Sequence, residues 1–240
     1  MTRTPFDVTL RTARTITSSV RELTFERTDG APVVFDAGQW VSLDVLVGGE
    51  PLRRSYSIAS APDGTARFEV AVTKVDKGPG STALHALPLG AVIQASGPQG
   101  FFTRPPTKTG PSLFVGTGTG VTPLRSMLRD ALAKGDTRPM WLMLGVRTEE
   151  DLLYRDEFVA LAAVHEHVRV FFTLSREPWS GRRGYVQTHV RELHDAMAAL
   201  GQGAPHVYIC GLERMVSGVR DVLRKEMGLP REQVHSERYD

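Results

Sequence analysis

Leu113-Phe114-Val115-Gly116-Thr117-Gly118-Thr119-Gly120-Val121-Thr122-Pro123 decides how the second half of this chain folds. An apolar run leads into a glycine loop, and the loop leads into a helical stretch. Such a loop lets a phosphate-bearing ligand approach the backbone, and the helix N-terminus favours its negative charge. The spacing departs from the usual dinucleotide fingerprint. Gly118-x-Gly120 is followed by Pro123 where a third glycine would stand, and proline suits the first helical turn. Taken alone, a glycine loop is also consistent with a tight turn; opening an α/β half, it reads as a nucleotide loop.

The runs around it support that reading. Residues 112–115, 140–144, 168–173 and 206–210 are apolar stretches fit for buried parallel strands, and residues 122–133, 152–163, 190–200 and 215–227 are helical segments alternating with them. That alternation predicts a doubly wound parallel sheet, with Gly135 and Gly228 as helix C-caps. Upstream the pattern is different. Residues 8–14, 20–26, 41–47, 67–72 and 92–95 read as short strands separated by turn residues at Asp29-Gly30, Gly48-Gly49, Asp63-Gly64 and Gly97-Pro98. Strands at this spacing predict a small antiparallel β-barrel, with one helix over residues 81–87 and Ser81 as its N-cap. The Pro-rich stretch 104–111 has no periodicity and marks the boundary, giving domains at 1–106 and 112–240.

Within the first half, Arg53-Arg54-Ser55-Tyr56-Ser57 reads as a strand entered from Pro51 and running into Ile58. Side chains at i and i+2 share a strand face, so Arg54 and Tyr56 would point one way and Ser55 and Ser57 the other. A guanidinium beside a phenol suits a ligand that is part phosphate and part flat ring. An amphipathic strand with a solvated Arg would have the same pattern.

Composition narrows the class. Hydrophobic content of 41% and charged content of 23% are ordinary for a soluble chain, and a net charge of +2 gives no reason to expect nucleic acid or an anionic membrane as partner. Residues 1–17 lack the apolar core of a signal peptide, and no apolar run approaches membrane-spanning length. The single cysteine, Cys210, excludes an internal disulfide and a cluster held by four cysteines of this chain, so no metal centre is expected and a reducing cytoplasm is the simplest compartment.

In its motifs and their order the chain resembles the ferredoxin–NADP⁺ reductase family, over nearly its whole length from Val8 to Tyr239. Arg54-Ser55-Tyr56-Ser57 is similar to the R-x-Y-S/T flavin motif and Gly78-Pro79-Gly80-Ser81 to the G-x-x-S/T phosphate loop. Gly97-Pro98-Gln99-Gly100-Phe101 resembles the turn closing the flavin domain, Gly118-Thr119-Gly120 with Pro123 the nucleotide loop, Cys210-Gly211 the C-G pair, and Glu237-Arg238-Tyr239 the E-x-aromatic ending. Two features depart from the pattern: Leu212 follows Cys210-Gly211 where many relatives have proline, and Asp240 follows the aromatic Tyr239.

The resemblance implies an FAD-binding barrel followed by an NAD(P)-binding α/β domain. Arg54 would bind the FAD pyrophosphate together with Gly80, Ser81 and Thr82 at the helix start; Tyr56 would pack on the isoalloxazine, Ser57 would hydrogen-bond near N5, and Tyr239 would cover the ring. Gly118, Thr119, Gly120, Pro123 and Gly211 would hold the nicotinamide nucleotide. Cys210 would position the nicotinamide ring without acting as a nucleophile, and Glu237 would relay a proton. Ser175, Arg176, Tyr185 and Gln187 resemble the region that reads a 2′-phosphate, with Arg182 or Arg183 adding a second cation, so NADP(H) is expected in preference to NAD(H). By the same resemblance the chain is an NAD(P)H-dependent reductase, a monomer that hands electrons to a ferredoxin, flavodoxin or oxygenase component. The alternatives are a reductase of free flavin or small acceptors, and an electron-transfer or regulatory subunit with little turnover.

Overall fold

A computed structural model describes residues 4–239, which fall into two compact units: Met1–Thr103 with Arg125–Asp130, and Arg104–Leu124 with Ala131–Asp240. In the first unit six strands, β1 (Phe6–Thr17), β2 (Val20–Arg27), β3 (Trp40–Val47), β4 (Glu50–Ser57), β5 (Arg67–Thr73) and β6 (Val92–Gln99), form an antiparallel sheet in the order β4-β3-β6-β1-β2-β5. The sheet curls until its two edge strands meet. Ile58, directly after β4, bridges Val70 of β5, and the Ala59 amide donates to Glu69 O at 2.7 Å. Closure turns alternate side chains inward. Phe68, Val70 and Val72 of β5 meet Leu23, Phe25, Val41 and Leu43 in one core, with the Phe25 and Phe68 rings stacked at 5.7 Å. Arg125, in the helical piece assigned to this unit, is 3% exposed; its guanidinium donates to Ala59 O at 2.9 Å and to the Glu69 carboxylate at 2.8 Å.

Two local expectations fail in this unit. Gly97-Pro98 is not a turn. It lies inside β6, with a cis peptide bond, where the pairing with β3 slips between Trp40 and Ser42. A bulge of this kind leaves one residue unpaired, which accommodates a proline that has no N–H to give the ladder, and Gly97 takes φ +126°, open to glycine. Ser81 is not the N-cap of its helix either. Helix α1 spans Pro79–Ala86 and Gly78 holds the cap position. The buried Ser81 hydroxyl instead donates to Gly78 O at 3.0 Å and accepts from the Val75 amide at 3.1 Å, folding the entry loop onto the first turn.

The second unit is a parallel sheet of β7 (Ser112–Thr117), β8 (Met140–Val146), β9 (Val168–Leu174), β10 (Arg182–Arg183), β11 (His206–Leu212) and β12 (Val234–Tyr239), in the order β10-β9-β8-β7-β11-β12. β8 is buried along its whole length, as expected of a strand covered on both faces. The helices are α2 (Val121–Ala133), α3 (Arg155–Val164), α4 (Val190–Ala198) and α5 (Glu213–Arg220). α2 ends as predicted at Gly135, whose left-handed conformation lets its amide reach Leu132 O while the Asp136 amide reaches Ala131 O, both at 3.0 Å. α3 begins three residues later than expected because Tyr154 is itself left-handed, φ +56°. The predicted helix over 215–227 starts at Glu213 and widens after Arg220 into a π-helical turn, Asp221–Glu226, before Gly228 ends it. β10 and β12 were not expected; neither is an apolar run.

β12 is an edge strand, and its histidine is packed into the sheet. The His235 ring stacks on Tyr208 at 4.7 Å, and its Nε2 is 3.3 Å from Nδ1 of His206. Burial first, then the neighbouring charges of His206 and Lys108, lower the His235 pKa from 6.5 to about 4. The unfolded chain therefore takes up a proton that the folded one refuses, so this contribution is whole above pH 6.5 and declines as the pH falls toward 4. Urea midpoints measured across that window are expected to drop with acidification, and His235→Phe, which keeps the stack without the titration, is expected to flatten the slope.

Candidate functional site

In the first unit the strand register assembles one face. Leu52, Arg54 and Tyr56 alternate along β4, and helix α1 begins over them. Gly80 makes the approach possible: a Cβ there would stand 3.0 Å from Arg54 Cγ and 3.4 Å from Leu52 Cδ2. The arginine stem thus crosses the first turn of the helix, where amide groups lack intrahelical partners and the dipole is positive. No acidic residue occupies that turn, and Thr82 is exposed beside it. The two arginines of the strand have opposite fates. Arg53 forks onto Asp44 with two bonds of 2.7 Å, whereas Arg54 has no carboxylate within ion-pair distance among the described residues. An exposed guanidinium at a helix start, with glycine clearing the backbone, fits a pyrophosphate. Tyr56 is half-buried against the barrel core; burial pushes its phenol up to about 12, opposed by the Arg54 charge, so it stays neutral and offers a ring surface. Ser57 is 5% exposed, one residue further along β4 and opposite Trp40.

In the second unit, strand order reverses between β7 and β11, and open α/β sheets hold ligands outside the carboxyl ends of strands at such a switch point. The loop Gly118–Gly120 leaves β7 there as a single tight turn, with Gly118 at φ +52°. Pro123 sits in the first turn of α2, and Thr122 fastens that turn by donating to Thr119 O at 2.8 Å. Gly120 lies against β11: a Cβ there would overlap the Cys210 carbonyl and stand 2.9 Å from Gly211 Cα. Gly116, Cys210 and Glu237 occupy one row across β7, β11 and β12. Cys210 is fully buried; burial raises its thiol pKa far above the usual range, a hydrogen bond from Tyr239 opposes this, and the Glu237 carboxylate adds to it. At neutral pH the group is a protonated thiol, a poor nucleophile. The Tyr239 hydroxyl lies 3.3 Å from Thr119 O and 3.4 Å from the Thr122 hydroxyl, so the last aromatic is tied to the glycine loop. Asp240 lies outside the described residues.

At the other side of the switch point, Ser175 and Arg176 follow β9. Their amides donate to Val146 O and Arg147 O, both at 3.0 Å. Arg176 and Arg183 are exposed and have no carboxylate at ion-pair distance among the described residues. Arg182 is different. It forks onto Glu192 of α4 with two bonds of 2.7 Å and lies over the Phe171 ring at 5.4 Å, so of the two neighbouring cations only Arg183 remains available. Tyr185 is 60% exposed, and Gln187 lies half-buried against Gly218. Arg147, exposed at the end of β8 and likewise without a carboxylate partner among the described residues, joins this group. Sequence reasoning missed it; its one signal was its place directly after a buried strand.

Comparison with known proteins finds two domain families along the chain. Residues 7–103 match the oxidoreductase FAD-binding domain family and residues 114–221 the oxidoreductase NAD-binding domain family. The chain is 55% identical over 239 residues to a protein of Sorangium cellulosum called ferredoxin–NADP reductase B, covering 98% of each. It is 34% identical over 214 residues to the reductase subunit of an aromatic O-demethylase of Amycolatopsis, covering 87% of this chain and 62% of that protein. Among solved structures, a cytochrome P450 reductase of Amycolatopsis superposes with a TM-score of 0.83 at 29% identity, over 98% of this chain and 70% of that one.

Arg54→Ala removes the cation without touching the barrel core. A hydrogen bond to a charged group is worth about 1.5–3 kcal/mol, so FAD affinity is expected to fall roughly tenfold to a hundredfold with the thermal unfolding of the apoprotein unchanged. Fluorescence titration of apoprotein with FAD measures it; wild-type affinity in the variant would show that Arg54 is only surface charge.

Proposed function

This chain belongs to the ferredoxin–NADP⁺ reductase family of FAD- and NAD(P)-dependent oxidoreductases, and on that premise we propose that it oxidises NADPH in preference to NADH and delivers the electrons to a separate carrier protein. The proposed FAD domain is residues 1–106 and the proposed NAD(P) domain residues 112–240. FAD, when bound, accepts two electrons as hydride and can release them one at a time. Arg54, with the amides of Gly80 and Ser81, would bind its pyrophosphate, Tyr56 would support the ring, and the Ser57 hydroxyl would hydrogen-bond the flavin edge. Gly118, Thr119 and Gly120 would receive the nicotinamide nucleotide's pyrophosphate. Cys210 and Gly211 would bound the nicotinamide ring, and Glu237 would hold a proton beside it.

The observation that carries the coenzyme preference is the group of exposed guanidinia, Arg147, Arg176 and Arg183, at the carboxyl ends of β8, β9 and β10. A bare ribose 2′-hydroxyl is usually held by a carboxylate, whereas a 2′-phosphate calls for clustered cations. Ser175 would add a hydroxyl and Tyr185 a ring for the adenosine. The acceptor is proposed to be a ferredoxin, flavodoxin or oxygenase component; two similar proteins are named ferredoxin–NADP reductase B and the reductase subunit of an aromatic O-demethylase, which supports the first and last of these. A monomer in the reducing cytoplasm is the proposed setting.

Steady-state kinetics test the reading. Wild type is expected to prefer NADPH, and Arg176→Ala to raise the KM for NADPH about tenfold while that for NADH barely moves. The double variant with Arg183→Ala is expected to lose more. A wild-type preference for NADH would overturn the coenzyme assignment. Offering ferredoxin, free FMN and a dye as separate acceptors tests the other half: turnover fastest with free FMN would assign the chain to flavin reduction, and negligible turnover with every acceptor would make it a non-catalytic subunit.

A further inference from the structure

Trp179 lies half-buried inside the loop that joins β9 to β10. Its indole N–H donates to Arg182 O at 2.5 Å. The ring lies flat on Gly181: a Cβ there would stand 2.5 Å from Cζ2, 2.7 Å from Cε2 and 2.9 Å from Cη2. The loop is tied at both ends. At its start the Ser175 and Arg176 amides bond to the β8 end, and the Glu177 carboxylate accepts from the Glu149 amide. At its close the Gly184 amide donates to Leu174 O and the Thr173 hydroxyl to Gly184 O, both at 2.9 Å. The indole holds the middle.

The consequence falls on the arginines. Neighbouring residues of a strand point to opposite faces. With the Arg182 carbonyl fixed by the indole and its guanidinium drawn to Glu192, Arg183 is turned to the other face, where it is exposed. A loop already closed in this way loses less conformational freedom when it grips a ligand, so preorganisation appears as affinity. We propose that Trp179, seated on Gly181, is a positioning residue for coenzyme selectivity, holding the 175–184 loop so that Arg176 and Arg183 converge on the 2′-phosphate of NADPH. This rests on the NADPH reading above. A coenzyme without that phosphate makes little use of the two guanidinia, so the indole should matter little to it.

The test compares 2′,5′-ADP with 5′-AMP as ligands of the FAD-loaded protein, by calorimetry, in wild type, Trp179→Ala, Trp179→Phe and Gly181→Ala. Trp179→Ala is expected to weaken 2′,5′-ADP about tenfold and to leave 5′-AMP within about twofold, one lost anchoring contact's worth. Gly181→Ala, which keeps the tryptophan but displaces it, is expected to behave in the same way. Trp179→Phe, which keeps a ring on the glycine without the N–H, is expected to recover part of the loss. In turnover, KM for NADPH should rise while kcat and the flavin spectrum hold. Equal weakening of both ligands, or of neither, would overturn the proposal. A wild type that binds 2′,5′-ADP no better than 5′-AMP would instead sink the NADPH reading, and the role of Trp179 with it.

Discussion

Everything in the second unit turns on one close approach, the backbone of Gly120 against the carbonyl of Cys210. At a switch point the connections leaving two adjacent parallel strands run to opposite faces of the sheet, and a ligand can bind there only if those loops leave room for it. Lacking a Cβ, Gly120 lets the loop after β7 pack against β11 beside the buried Cys210. The same contact fixes where α2 starts, and with it the direction of the helix dipole. Tyr239, bonded to Thr119 O, ties β12 to that loop from the far side. Three strands are thereby locked around one turn of three residues, and any side chain at position 120 would push them apart together.

Charge is sorted by pairing, and the pairing decides which cations can serve a ligand. Arg53 and Arg54 are neighbours on one strand, and so are Arg182 and Arg183. In each case one is committed to a carboxylate, Asp44 or Glu192, and the other has no carboxylate at ion-pair distance among the described residues. Such exposed ion pairs add little stability. Their effect is directional: the alternation of a strand means that anchoring one arginine aims the next.

Much of this was legible in the sequence, for physical reasons. Buried parallel strands must be apolar along their length, so β7, β8, β9 and β11 announced themselves, and the period-2 runs of the barrel did the same. The features that escaped are those held by tertiary contacts. β12 carries His235, Glu237 and Arg238 and pairs only because β11 offers a free edge. Gly97-Pro98 has the composition of a turn, yet the bulge opposite Val41 draws it into β6. Ser81 has the identity of a cap, and the geometry of the entry loop gives its hydroxyl other work. Two adjacent arginines look alike in a sequence, and nothing local to Arg182 reveals a glutamate ten residues away.

The burial of Cys210 has a chemical consequence of its own. Peroxide and alkylating reagents react with thiolate, and the first oxidised product, a sulfenic acid, forms where a cysteine is both ionised and accessible. Cys210 is neither: it is closed to water and keeps its proton far above neutral pH. The chain has no other cysteine. A redox protein built in this way offers peroxide and alkylating reagents no exposed thiol.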